Sequence, residues 1–115
     1  MQYKSLIKGT LQPIILKLLS EQGRMYGYEI TQKVRVITNG KIEITEGALY
    51  PALHKLEVEG TLKTEKEYIG KRVRKYYSLT KKGNSVVKER VSELSDFVAS
   101  MNTLLNNKPS FNANY

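Results

Sequence analysis

Cysteine and tryptophan are absent from this 115-residue chain, and histidine and aspartate occur once each, as His54 and Asp96. Without cysteine there is no disulfide scaffold, no thiolate zinc site and no cysteine nucleophile. His54 has no second histidine with which to hold a metal, and Asp96 falls inside a helical stretch, so neither a catalytic triad nor a metal cluster can be assembled. The ten glutamates sit beside lysines on expected helix surfaces. No catalytic residue, metal or cofactor is therefore expected. Long apolar runs are missing as well. The segment MQYKSLIKGTLQPIILKLLSEQ has an apolar patch broken by Lys8, Gln12, Pro13 and Lys17, which is neither a secretory signal nor a membrane span. A cytoplasmic protein with no membrane partner is expected.

What the chain has is positive charge. Lys and Arg number 19 against 11 acidic residues, a net +8. An excess of this size favours a polyanionic partner, nucleic acid before an anionic membrane surface. At this length one domain with a modest core is expected.

Hydrophobic periodicity places four helices and a hairpin. Leu11, Ile14, Ile15, Leu18 and Leu19 follow helical spacing, with Thr10 as cap, Pro13 in the first turn and Gly23 as stop. Tyr3, Leu6 and Ile7 hint at an earlier helical piece interrupted at Gly9. A second helix runs from about Tyr26 to Ile37, with Ile30, Val34 and Ile37 on one side, and ends at Asn39-Gly40. A third opens at the N-cap Thr45 and stops at Gly60. Leu62–Tyr68 and Val73–Leu79, rich in Thr, Tyr and Val and separated by Ile-Gly-Lys-Arg, read as a β-hairpin. Thr80 caps a long final helix, and KPSFNANY reads as a frayed tail. The fold class is mainly α (α+β): a winged helix-turn-helix over residues 1–80 with a two-stranded wing, a dimerisation helix over 81–107, and a disordered tail over 108–115.

The third helix has two faces. Leu49, Leu53 and Leu56, with Ala52 beside them, form a core stripe; Gly47, Tyr50, Pro51 and His54 lie opposite, free to enter a major groove. Gly47 allows close approach, and Tyr50 and His54 offer donors. Tyr50 also reads as a partly buried aromatic shelf, and His54 as an ordinary exposed side chain. Pro51 removes one helical hydrogen bond, so the kink would re-aim the N-terminal turn. The basic charge is clustered: between Leu62 and Lys82 eight Lys and Arg stand against Glu65 and Glu67, a net +6. A hairpin with Lys71 and Arg72 at its tip, followed by Arg74, can reach phosphates or the minor groove.

In the last helix Val87, Val91, Leu94, Val98, Met101 and Leu105 are spaced 4, 3, 4, 3, 4, which is a heptad seam. Val86, Phe97 and Leu104 widen the stripe to roughly 140° at ~100° per residue. One neighbour inside a domain this small would not cover so wide a face. Packing on both the first helix and a partner's copy, in a homodimer, is expected.

Three segments carry a family likeness: MYGYEI (Met25–Ile30), TEGALYPALHKLEVEGTLKTE (Thr45–Glu65) and GKRVRKYYSLTKKG (Gly70–Gly83). Together they resemble the PadR family of transcriptional regulators, over about Lys8 to Leu105, and the single C-terminal helix is similar to its small subfamily. The resemblance implies a dimeric repressor of double-stranded DNA with a pseudo-palindromic operator. It places DNA contacts at Thr45, Gly47, Tyr50 and His54, joined by Pro51 and Lys55 on the same helix, and at Lys71, Arg72 and Arg74 in the wing. It further implies a small hydrophobic effector between the C-terminal helices. The tryptophans that such subfamily sites use are missing, leaving Phe97 as a partial substitute. A winged helix serving as a protein-interaction or RNA-binding module is the alternative reading.

Overall fold

A computed structural model describes residues 4–108, so Tyr3 and all of the expected tail over 108–115 except Lys108 lie outside the described residues. The chain runs α1 (Lys4–Ile7), a 3-10 turn (Lys8–Thr10), α2 (Leu11–Gln22), β1 (Arg24–Tyr26), α3 (Gly27–Ile37), α4 (Glu46–Val58), β2 (Leu62–Ile69), β3 (Arg72–Leu79) and α5 (Lys81–Leu105). This is a helix-turn-helix followed by a wing and a long C-terminal helix, as the periodicity and the resemblance imply.

The amphipathic stripes meet in one core. Leu11, Ile15, Leu16 and Leu19 of α2, Ile30 of α3, and Leu49, Leu53 and Leu56 of α4 are all essentially inaccessible to solvent. Met25, Leu62, Tyr77 and Leu79 close the core from the sheet side. Between α3 and α4 the Thr38 hydroxyl donates to the Val34 carbonyl (2.8 Å) and accepts from the Ile42 N–H (3.0 Å), which fixes the turn.

Some expectations are corrected. The sheet has three antiparallel strands in the order β1-β3-β2, because Arg24–Tyr26, whose last residue the sequence places at the start of the second helix, pairs with Tyr76–Ser78 before α3 begins. The wing strands extend further toward the tip than the Ile-Gly-Lys-Arg loop suggests, since Ile69 pairs with Arg72 and only Gly70 and Lys71 turn. Ile37 is 61% exposed, because α3 has turned its C-terminal end off the core by that residue. Thr10 does not cap α2: its hydroxyl donates to the Ile7 carbonyl (2.8 Å).

The end of α4 and the start of α5 are joined tightly. Thr80 caps α5, its hydroxyl accepting from the Gly83 N–H (3.0 Å) and donating to the Gly60 carbonyl (2.6 Å). Lys82 Nζ donates to the Glu59 carbonyl (2.7 Å), and the buried Thr61 hydroxyl donates to the Leu56 carbonyl (2.8 Å). Gly83 is buried against the Thr61 carbonyl so closely that a Cβ would overlap it. From this joint α5, about 37 Å long at 1.5 Å per residue, packs along α2 and β3. Val86, Val87, Val91 and Leu94 are half-buried, whereas Phe97, Val98, Leu104 and Leu105 are exposed. The radius of gyration is 17.3 Å and the extents are 68 × 32 × 21 Å. A compact chain of this length would have a radius near ~13 Å. The excess reflects a helix that outruns the domain beneath it.

Candidate nucleic-acid interface

The second helix of the helix-turn-helix, α4, presents its N-terminal half outward. Thr45 caps it, its hydroxyl accepting from the Ala48 N–H (3.3 Å). Leu49, Leu53 and Leu56 anchor the helix in the core, which turns Gly47, Tyr50, Pro51 and His54 to solvent. The helix runs unbroken through Pro51, whose missing N–H leaves the Gly47 carbonyl without its usual donor on that exposed face.

Tyr50 is both things that its position suggests. It is 43% exposed, yet its ring end rests on Gly27, the first residue of α3, where a Cβ would overlap the hydroxyl. Its orientation is set by a backbone contact to the neighbouring helix, leaving part of the ring free.

Beside Tyr50 an open groove of about 870 Å³ separates α4 from the wing, lined by Tyr26, Tyr28, Tyr50 and Tyr77 and by Arg72, Arg74 and Lys75. β1 covers only Tyr76–Ser78 on its side of β3, so the strand from Arg72 to Lys75 borders this groove unpaired on that edge. At the wing tip Lys71 and Arg72 are exposed and, among the described residues, form no ion pair. Farther down β3, Lys75 and Arg74 differ. Lys75 faces Glu57 of α4 (3.6 Å) and lies 5.4 Å from the Tyr77 ring centre. Burial pushes the Tyr77 phenol above its ordinary value.

The root of the wing holds an alternating stack. The Arg24 guanidinium lies 4.0 Å from the centre of the Tyr76 ring. Tyr76 meets Tyr26 edge to face at 5.5 Å and 81°. Arg74 lies 4.1 Å from the Tyr26 centre and donates to the Tyr76 hydroxyl (3.4 Å). Arg24 also pairs with Glu67 (2.6 Å) and Glu65 (3.6 Å), so both acidic residues of the wing are partnered from outside the hairpin. The hydrogen bond to Glu67 raises the Arg24 pKa, and that to Tyr76 raises the Arg74 pKa.

The sequence-predicted residues are thus not all on one spot. Tyr50, Arg72 and Arg74 border the groove, with Lys71 at the tip beyond it and His54 exposed one turn along α4. Thr45, Gly47 and Pro51 line a separate apolar depression of about 410 Å³ with Ile7, Ile44 and Ala48. Lys55 points elsewhere, into a groove of about 800 Å³ with Arg90, Glu93 and Phe97. Missed by sequence reasoning were Arg24, Tyr26, Tyr28 and Lys75. The first two belong to a strand too short to show alternation; Tyr28 lay in the quoted MYGYEI motif without a role assigned to it.

Residues 15–89 match the PadR-like family of transcriptional regulators. The chain belongs to this family. A Lysinibacillus sphaericus protein, itself uncharacterised, is 36% identical over 94 residues, covering 79% of this chain and 84% of its own length. Among solved structures, a transcriptional regulator from Clostridium thermocellum is 33% identical with a TM-score of 0.76, covering 86% of this chain and 96% of its own. A PadR family transcriptional regulator from Eggerthella lenta is 29% identical with a TM-score of 0.71, covering 90% and 88%. As a PadR-like protein the chain is a transcriptional regulator with a DNA-binding winged-helix fold, and not an enzyme. Among the described residues no helix is long and apolar enough to cross a membrane.

Proposed function

We propose that this PadR-like regulator binds a pseudo-palindromic operator as a homodimer and represses transcription from it. Residues 1–80 form the DNA-binding unit and residues 81–107 the dimerisation helix. Support comes from Tyr50 on the exposed face of α4 and Arg72, free of ion pairs among the described residues, which stand on opposite sides of one groove with Lys71 at the tip beyond it. That pairing is the observation that carries the reading. A helix N-terminus in the major groove reads base edges, while a cationic wing tip alongside holds phosphate. Thr45, Gly47, Tyr50, Pro51 and His54 supply the helix contacts. Lys55, on the α5 side, is placed to meet backbone or the partner.

The second copy is supported by the seam. Phe97, Val98, Leu104 and Leu105 are uncovered in one chain, and Val87, Val91, Leu94 and Met101 only partly covered. An equivalent helix related by a two-fold axis would complete them and set two recognition helices about one DNA turn, ~34 Å, apart. The small hydrophobic effector implied by the resemblance would sit at this seam, where Phe97 is the aromatic side chain left uncovered.

The test is a fluorescence-anisotropy titration of duplex DNA from the region upstream of the protein's own gene, against an unrelated duplex, over a salt series. Sequence-dependent binding that weakens with salt is expected. Arg72→Ala should flatten the slope of log K against log salt by about one, the loss of one phosphate contact. Tyr50→Ala should lower the ratio of operator to unrelated affinity. Absence of any sequence preference at low salt would overturn the proposal.

A further inference from the structure

We propose that Arg74 is a positioning residue rather than a phosphate contact: stacked with Tyr26, Tyr76 and Arg24, it fixes the angle between the wing and the recognition helix. The inference rests on the reading of the wing as a DNA-contacting element.

Arg72 and Arg74 lie two apart on β3 and therefore on the same face of the strand. Their surroundings differ. Arg72 is exposed and makes no ion pair among the described residues, whereas Arg74 is half-buried, with its guanidinium over the Tyr26 ring at 4.1 Å and a hydrogen bond to the Tyr76 hydroxyl. Stacking covers one face of this guanidinium and engages one of its five N–H donors, so the group is held at the wing root and the stack, not a phosphate, sets where it points.

What the stack connects gives it a function. Tyr26 and Arg24 belong to β1; Tyr76 and Arg74 belong to β3, the strand that continues into the wing tip. Arg24 adds β2 through Glu67 and Glu65. All three strands are thereby tied on one face at the root of the hairpin. Tyr26 is followed directly by Gly27, the residue on which Tyr50 of α4 rests. The chain of contact runs from wing to stack to the start of α3 to the recognition helix, without a flexible link. Loosening the stack would let the wing tip move relative to Tyr50 while every cation remained in place.

Charge and position are separable by experiment. Affinity for operator and unrelated duplex is measured over a salt series for Arg74→Lys, Arg74→Ala, Tyr26→Leu, the double variant of Tyr26→Leu with Arg74→Lys, and Arg72→Ala. Arg74→Lys keeps the charge and loses the planar stack. Operator affinity should fall roughly three- to tenfold, with the salt slope of the parent and unrelated-duplex affinity little changed. Tyr26→Leu should reproduce the loss, and the double variant should add nothing to it. A role in folding alone would instead lower both affinities together, in proportion to the folded fraction. If Arg74→Lys binds as the parent does while Arg74→Ala flattens the salt slope as Arg72→Ala does, Arg74 is a phosphate contact and the inference is wrong. A denaturant double-mutant cycle between Tyr26 and Arg74 reads the stack without DNA. Coupling there with no operator preference in the parent would count against the operator reading alone. Normal operator binding without coupling would remove the strut alone.

Discussion

At the scale of single residues, close approaches decide where the functional side chains point. Gly27 is the sharpest case. It stands first in α3, and the Tyr50 phenol occupies the space a side chain would need. A Gly27→Ala substitution should push the Tyr50 ring outward at a cost in stability of about 1 kcal/mol, the low end for overpacking because the clashing atoms end a rotatable side chain. The larger effect should be on recognition, with operator affinity falling about tenfold if ~1.4 kcal/mol of base contact is lost. In a Tyr50→Ala background the same change should be nearly silent. Equal losses in both backgrounds would show that Gly27 does not act through Tyr50. None of this was visible in the sequence. The motif MYGYEI marked the segment, but the spacing of Gly27 and Tyr50, 23 residues apart, carries no signal that they touch. Lys55 teaches the same lesson in reverse: its place on the α4 helical wheel follows from periodicity, yet which neighbour it meets depends on where α5 crosses.

At the scale of elements, α2 to α5 were legible because each carries an apolar stripe broad enough to show the helical period. The hairpin was legible because its strands alternate and its turn holds Gly70. β1 was not, for physical reasons. Three residues complete no detectable alternation, and its partners Tyr76–Ser78 lie some 50 positions away. Its stability comes from the pairing itself and from the arginine-tyrosine stack. The joint between α4 and α5 was half legible: Thr80 was recognisable as a cap, but its second bond to the Gly60 carbonyl was not. Removing the hydroxyl therefore breaks two contacts at once. Thr80→Ala should destabilise the domain by about 1–2 kcal/mol, the upper part of the range for a lost N-cap. Thr80→Ser, which keeps the oxygen, should recover most of it. Thermal unfolding of the three proteins measures this, and equal losses in both variants would mean that the hydroxyl contributes little.

At the scale of the whole molecule, the uneven covering of α5 is the dominant feature. Its first turns rest on α2 and β3, while its last turns carry exposed Phe97, Val98, Leu104 and Leu105 beyond them. Such a surface makes stability a function of concentration if a second copy covers it. The melting temperature should rise with protein concentration, and sedimentation should report a dimer. Val98→Glu, which places a charge at the centre of the seam, should give a monomer with weakened operator affinity and an intact near-domain fold. A dimer of unchanged mass would contradict the heptad argument. The elongated shape, with its 17.3 Å radius of gyration, follows from the length of α5, whereas the width of its apolar stripe pointed in the sequence to a second covering neighbour.

The joint at Thr61, Thr80 and Gly83 turns this shape into a mechanical statement. α5 does not hang from the domain on a linker; its base is bonded to the carbonyls that end α4. It is a rigid boom on a fixed mount. A tilt of about 5° at that mount moves the far end of a ~37 Å helix by about 3 Å. Read from the other end, a small wedge driven between two such booms would swing the mounts, and the recognition helices with them. A dimer built this way measures the distance between its half-sites with the same part that holds it together.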